Sequence, residues 1–457
     1  MNITLWPDTA TIHNGHLHLG GCDVTTLAAE HGTPLYLFDE ATLRGTMRAY
    51  QAAFARFYEG ETRIHYASKA LLNTAIAQLV AQEGLGLDVV SGTELLVARR
   101  AGLPMAHVHM HGNAKTRTEL ERAVDWDIGA VVVDNLDELE QLAALTVGRA
   151  EPQGVLLRLA PNIQANTHAH IATGSADSKF GLPLAALDAA AERLLDAPGL
   201  RLLGLHAHIG SQLFEESSIR ATVHVLLDMA ARLRLRHGLA VEELSPGGGL
   251  GVPYTAEMPA SNIEAYAEAV ATSMYDGEHL TQGWPLPRLT VEPGRSIVAR
   301  AGVAIYSVIA TKRSVAKIGD GRLATHANSG NLQSAIYNLQ YLHVDGGMAD
   351  NLRPALYGAR YTALLANKAD APATQTVHVA GRYCESGDVL LRDAPLPPAA
   401  PGDLLAVAVA GAYTLSMASN YNMVPRPAVL LLRDGQARLI QRRETEEDLL
   451  ARDVELT

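Results

Sequence analysis

Apolar and polar residues follow two rhythms along this chain. Between about residue 40 and residue 300, short apolar runs rich in β-branched and aromatic residues give way to stretches whose apolar positions recur every three or four residues. The short runs predict strands beginning near Ile64, Leu87, His107, Ala130, Val155, Leu202, Val241 and Leu289, with helices between them. The helix before the first strand carries Leu43, Met47, Tyr50, Phe54 and Phe57 on one face, and Asp39 is placed to cap it. Several later helices open with Ser, Thr or Asn followed three residues on by Glu, the capping-box pattern, at Ser91/Glu94, Thr116/Glu119, Asn135/Glu138 and Ser261/Glu264. Eight such units in about 250 residues predict an α/β fold, a TIM-type (β/α)8 barrel rather than an open doubly wound sheet. Its expected span is residues 39–298.

Beyond residue 298 the helical rhythm fades. Strands are expected at Val303–Ala310, Thr374–Ala380, Leu404–Ala410, Val429–Arg433 and Ala437–Gln441, the last two joined at an Asp434-Gly435 turn. Residues 299–457 therefore read as a β domain, and the strand-like pieces of residues 1–38, among them Pro34–Phe38, are expected to join it. Residues 314–343 read as a polar, Gly- and Asn-containing loop, and Glu444–Leu450 as a charged terminal helix.

Composition narrows the function. The chain has 457 residues, 48% of them hydrophobic and 19% charged, the profile of a globular protein with a large core. Its net charge of −12 gives no electrostatic support for nucleic-acid binding and suits a small polar substrate. Two cysteines, Cys22 and Cys384, make no disulfide framework, and the opening residues lack the basic and apolar regions of a secretory signal, so a reducing, cytoplasmic setting is expected. No run reaches the length of a membrane span, so no membrane role is expected.

The candidate chemistry gathers at the predicted strand ends. The strand Ile64-His65-Tyr66-Ala67-Ser68 runs into Lys69, which is either a solvated lysine at a strand end or, if desolvated at the carboxyl end of a barrel strand, one able to lose its proton and attack a carbonyl. Gly247-Gly248-Gly249-Leu250-Gly251 offers backbone N–H groups to a phosphate, or simply a tight turn. His208-Ile209-Gly210-Ser211-Gln212 ends a strand with a ring able to stack on a flat cofactor, or with a core histidine. Glu292-Pro293-Gly294-Arg295 supplies a carboxylate for a protonated ring nitrogen and a guanidinium for an anion, or an ion pair at the barrel rim. Cys384 is either a proton donor or a small buried hydrophobe. His107, His109 and His111 alternate as if on one strand face, but no carboxylate or cysteine cluster accompanies them, so no metal site is expected. Taken together, an imine-forming lysine, a stacking ring, a phosphate cradle, a ring-nitrogen carboxylate and a proton donor point to pyridoxal 5'-phosphate.

The motifs Tyr66-Ala67-Ser68-Lys69-Ala70, His111-Gly112-Asn113, Asp177-Ser178-Lys179-Phe180-Gly181, His208-Ile209-Gly210-Ser211-Gln212, Glu292-Pro293-Gly294-Arg295, Asp345-Gly346-Gly347-Met348, Arg353-Pro354-Ala355-Leu356-Tyr357, Cys384-Glu385-Ser386-Gly387 and Gly411-Ala412-Tyr413 occur in this order. Over about residues 34–422 the chain resembles the diaminopimelate decarboxylase family, whose alanine-racemase-like fold is shared with ornithine and arginine decarboxylases. The resemblance implies that Lys69 carries the cofactor as an imine, His208 stacks on its ring and Glu292 holds the ring nitrogen. It implies further that Ser211, Gly248, Gly249, Gly294, Arg295 and Tyr413 line the cofactor site, the first three and Tyr413 at the phosphate, with Asp88 nearby. Arg295, Arg353 and Tyr357 would grip the substrate's distal carboxylate, Glu385 its distal ammonium, and Cys384 would protonate the product carbanion. The family is a head-to-tail homodimer, and Cys384 and Glu385 would serve the partner's site.

The implied reaction is decarboxylation of meso-2,6-diaminopimelate to L-lysine. The alternative is a related decarboxylase acting on carboxynorspermidine, arginine or ornithine, against which the Arg353 guanidinium argues, since a diamine-producing site needs carboxylates at the distal end. Two departures stand out: an apparent insertion around residues 314–343, and Leu71-Leu72-Asn73 in place of an asparagine soon after the lysine motif.

Overall fold

The computed structural model describes residues 3–163, 179–277, 282–317 and 336–456. The chain divides into two compact units, one of residues 42–253 and 257–299, the other of residues 1–41, 254–256 and 300–457.

The first unit is the expected barrel. Its strands are β1 (Thr62–Ala67), β2 (Gly86–Val89), β3 (Val108–Met110), β4 (Ala130–Val133), β5 (Gln153–Ala160), β6 (Leu200–His206), β7 (Glu243–Gly247) and β8 (Arg288–Val291). Each pairs in parallel with the next, and β8 returns to β1 through Leu289↔Thr62 and Val291↔Ile64, which closes the sheet. Such strands are covered on both faces, and all four residues of β4 are buried accordingly. The barrel also buries polar residues: His65, Asp88, His109, His111, His206, Ser245, Thr290 and Glu292 are all hidden from solvent. Polar side chains in such a place need partners.

Helix starts follow the side-chain chemistry, with differences of detail. Thr116 and Glu119 form a complete capping box. Ser91 and Asn135 accept the N–H of Glu94 and Glu138, but the two carboxylates go elsewhere, Glu94 to the Val90 N–H and Glu138 to the buried Lys115 ammonium. The expected Ser261 cap is replaced by its neighbour: Asn262 accepts the Ala265 N–H and starts the helix Ile263–Ser273. His107 is not on the β3 strand face with His109 and His111; it ends an exposed 3-10 turn, Met105–His107, that follows Pro104.

In the second unit, one sheet runs in the order Val389–Leu396, Gln375–Ala380, Ile336–Val344, Gly302–Lys317, Leu35–Asp39, Ala428–Arg433, Gln436–Gln441. The N-terminal strand Leu35–Asp39 lies antiparallel to Gly302–Lys317 and parallel to Ala428–Arg433, so the amino-terminal segment completes this sheet. The final hairpin turns at Asp434 and Gly435, whose φ values of 51° and 76° suit the two-residue turn. The described parts of the expected polar loop, residues 314–317 and 336–343, are strand and not loop: they pair antiparallel from Val308↔Val344 to Lys317↔Ile336. Ladder hydrogen bonding overrides the low apolar content of this stretch. Residues 318–335 of it, and Asp177-Ser178 of the motif ending at Gly181, lie outside the described residues.

Candidate active site

In the barrel unit the candidate residues sit where strands end. Lys69 follows β1 in the 3-10 turn Ser68–Ala70 and is exposed. The loop after β8 is tied to the same place: the Ala67 N–H donates to the Pro293 carbonyl at 3.1 Å. A Cβ on Gly294 would stand 2.9 Å from the Ala67 Cβ and 3.0 Å from its carbonyl oxygen, so only glycine permits this approach. Arg295, buried in the turn Arg295–Val298, donates from Nε to the Ser211 hydroxyl at 3.1 Å.

The loops after β6 and β7 are stitched together. Leu213 N–H donates to the Gly249 carbonyl and Gly251 N–H to the Leu213 carbonyl, at 2.9 and 2.8 Å. The Gln212 amide bonds both the N–H and the carbonyl of Val252. This pairing places Ser211 beside Gly248 and Gly249. A Cβ on Gly248 would fall 2.1 Å from the Glu292 carbonyl oxygen, which draws the glycine run against the end of β8. Gly248 N–H lies 3.4 Å from His208 Nδ1, so that nitrogen accepts. Burial, then the Lys69 and Arg158 cations, push the His208 ring well below its ordinary basicity and leave it neutral.

Below these loops lies the buried polar group. Glu292 accepts from the Ser245 hydroxyl at 2.7 Å and lies 3.1 Å from His206 Nε2, with His111 Nε2 at 3.9 Å. Burial alone would raise its carboxyl, but the two imidazoles and these hydrogen bonds hold it well below the usual carboxylate range. Asp88 Oδ1 lies 3.1 Å from His65 Nδ1 and 3.3 Å from His111 Nε2. Burial and the nearby Glu292 work against its charge, yet His111 and His65 hold it below the ordinary value. His109 packs its ring 4.1 Å from that of His65, and burial pushes it down to about 3. The carboxylates that the histidines lacked in the linear sequence thus arrive from β2 and the end of β8. Two groups, His65 with Asp88 and His109, and His111 with His206 and Glu292, bring their possible metal-ligating atoms within 4.8 Å of one another. In the second group, hydrogen bonds from His206 and Ser245 already occupy the Glu292 oxygens.

In the sheet unit, Arg353 and Tyr357 share the helical turn Arg353–Tyr357. Arg353 is buried, donates from Nη1 to the Tyr361 hydroxyl at 2.7 Å and stacks 4.5 Å over the Tyr254 ring. Burial opposes its charge, and the two tyrosines more than offset that, raising its basicity. Tyr413 is half-buried, with a φ of 56°. Cys384 and Glu385 are exposed, so Cys384 is not the small buried hydrophobe that was one reading of it. The Cys384 N–H donates to the Asn422 side chain at 3.3 Å, and Glu385 accepts from the Tyr421 hydroxyl at 3.2 Å. Their loop is held from beneath by the buried Asp388, which accepts the N–H groups of Tyr383 and Met348.

Sequence reasoning did not single out His206, Ser245, His65, Tyr254 or Tyr361. His206 carries a usable signal, because with His208 it repeats the alternation of His109 and His111. The two tyrosines carry none, since nothing local marks them as partners of Arg353.

Comparison with known proteins agrees with this geometry. The family described as "Pyridoxal-dependent decarboxylase, pyridoxal binding domain" matches residues 40–299. The chain is 43% identical to a diaminopimelate decarboxylase of Actinosynnema pretiosum subsp. auranticum, over 98% of this chain and 95% of that one. It is 41% identical to a diaminopimelate decarboxylase of a Synechocystis strain, over 99% and 93% of the two chains. Among solved structures, the diaminopimelate decarboxylase of M. jannaschii in complex with L-lysine superposes with a TM-score of 0.87 at 32% identity, covering 98% of each chain. With the barrel, the motifs and full-length relatives in agreement, the chain belongs to the diaminopimelate decarboxylase family of pyridoxal-dependent decarboxylases.

Proposed function

We propose that this chain binds pyridoxal 5'-phosphate and removes the carboxylate at the D-centre of meso-diaminopimelate, giving L-lysine and carbon dioxide. The observation that carries the reading is Glu292, a buried carboxylate held ionised by hydrogen bonds at the end of β8, the strand paired with the one that leads to Lys69. The donor set suits the cofactor: an amine at a strand end, a neutral ring at His208, backbone N–H groups in a glycine turn, and an anion for a protonated ring nitrogen. When bound, pyridoxal phosphate accepts the electron pair left by loss of carbon dioxide.

This chain's residues do the rest. Lys69 Nζ holds the cofactor covalently, His208 covers its ring, and Glu292 keeps a proton on the ring nitrogen. Ser211, Gly248, Gly249 and Tyr413 bind the phosphate, with Asp88 and Gly294 lining the site. Arg295, Arg353 and Tyr357 take the substrate's distal carboxylate and Glu385 its distal ammonium, so that only a substrate with both charges is held by both ends. Cys384 Sγ delivers a proton to the carbon that has lost its carboxylate. The exposure of Cys384 and Glu385 supports a homodimer in which they complete the partner's site. No helix among the described residues is long and apolar enough to cross a membrane.

The test is carbon dioxide release, with added pyridoxal phosphate, from meso-diaminopimelate beside ornithine, arginine and carboxynorspermidine. Release from diaminopimelate alone, with lysine as product, is the expected result. Release only from one of the others would keep the cofactor chemistry and overturn the assignment of Arg353; silence from all four would overturn the reaction.

A further inference from the structure

His206 ends β6 and Ser245 lies in β7, and the two are register partners. Paired residues of neighbouring parallel strands point to the same face, so both side chains enter the barrel interior beside Glu292. The Ser245 hydroxyl donates to Glu292 Oε1 at 2.7 Å, while its oxygen accepts the Gly247 N–H at 3.2 Å. Having one proton and giving it to Glu292, this hydroxyl is oriented by the glycine turn itself. The Glu292 N–H in turn donates to the Gly247 carbonyl at 3.0 Å. Carboxylate and glycine turn are thus joined both by backbone and through Ser245.

His206 supplies the other hold. Its Nε2 lies 3.1 Å from the Glu292 carboxylate and must carry a hydrogen. Its Nδ1 is buried and has no hydrogen-bond partner among the described residues. A second proton there would be a buried donor without an acceptor, which is costly. His206 is therefore a neutral donor: it orients Glu292 without cancelling its charge, and the anion stays available to a cation.

We infer that His206 and Ser245 are positioning residues for the proposed decarboxylation, holding the Glu292 carboxylate as an oriented anion for the cofactor's ring nitrogen and, through Ser245, fixing it relative to the Gly247–Gly249 turn. The inference rests on the decarboxylase reading above. It sets the ring-nitrogen end and the phosphate end of the cofactor by one hydrogen-bond chain. The other titratable groups bearing on Glu292 or its histidine are His111, Asp88, Arg158, His208 and Tyr266.

The experiment compares His206→Leu, His206→Gln, Ser245→Ala and Glu292→Gln as holoenzymes. Measured are kcat, KM, the dissociation constant for pyridoxal phosphate, and the pH dependence of the bound cofactor's visible absorbance. His206→Leu is expected to lower kcat about ten- to a hundredfold with little change in KM, and to shift the absorbance titration. His206→Gln, whose amide N–H can stand where Nε2–H stands, is expected to recover most of both. Ser245→Ala is expected to weaken cofactor binding several-fold as well as lowering kcat. Unchanged kcat and absorbance in His206→Leu, or a loss in His206→Gln as large as in His206→Leu, would overturn the inference. Glu292→Gln separates the two levels of argument. Full activity in that variant overturns the role given to Glu292 itself; its inactivity beside unaltered His206→Leu and Ser245→Ala overturns only the positioning role.

Discussion

Arg353 gives a hydrogen bond from Nη1 to the Tyr361 hydroxyl, 2.7 Å away, and both side chains are buried. That bond fixes the plane of a guanidinium which also stacks on Tyr254, and a fixed plane is what a two-pronged grip on a carboxylate requires. Tyr361→Phe removes the acceptor and keeps the ring. We expect KM for diaminopimelate to rise about tenfold, the worth of one hydrogen bond to a charged group, with kcat changed little. Steady-state kinetics check this, and an unaltered KM would mean that Arg353 is held well enough by stacking alone.

Lys69 stands exposed at the end of β1, in a turn fastened by the Ala67 to Pro293 hydrogen bond. Lys69→Ala is expected to leave the barrel folded, because the side chain fills no core space. The visible absorbance of lysine-bound pyridoxal phosphate should vanish and activity should fall ~10³-fold or more. Persistence of the absorbance band in the variant would move the nucleophile to another residue.

If Cys384 completes the partner's site, two inactive variants can repair one another. A hybrid of one Lys69→Ala and one Cys384→Ala subunit would contain one site with both defects and one with neither. Random mixing at equal concentrations should restore about a quarter of the unmodified activity, since half of the dimers are hybrids and each has one intact site. Mass spectrometry establishes that hybrids have formed. No recovery in confirmed hybrids would return Cys384 to its own subunit's site.

The barrel is legible because its strands and caps are local signals, and the strand-end positions of Lys69, His208 and Glu292 are legible because each lies in a contiguous motif. The strands Gly302–Lys317 and Ile336–Val344 extend into the stretch 314–343 that the sequence reads as a loop, since pairing there is a property of two segments and Lys317, Asn338 and Gln340 interrupt the apolar pattern. His206 and Ser245 stand out little for a related reason: each has other polar residues close by, His208 after His206 and Glu242 and Glu243 before Ser245, and its place beside Glu292 emerges only when β6, β7 and β8 stand side by side. Tyr361 and Tyr254 are more than 100 residues apart in sequence, and their rings come together edge to face, 5.2 Å between centroids, beside Arg353.

The buried histidines also make a prediction about pH. His109 lies fully inside the barrel against His65, with Asp88, Glu243 and His111 as the other titratable groups facing it, and burial followed by the His65 charge pushes it down to about 3 from 6.5. In the unfolded chain the same imidazole takes up a proton as pH falls through 6.5, while in the folded barrel it stays neutral. Because the folded value is the lower one, stability is fully present above pH 6.5 and declines as pH falls toward 3. At pH 5 this single group costs about 2 kcal/mol relative to neutral pH. His109→Gln cannot protonate, so its urea-unfolding free energy should fall by about 2 kcal/mol less between pH 7 and pH 5 than that of the unmodified protein. The comparison is of differences, which removes whatever the substitution costs in packing. Equal losses in the two proteins would assign the acid sensitivity of the barrel to the other members of the buried network and leave His109 a spectator.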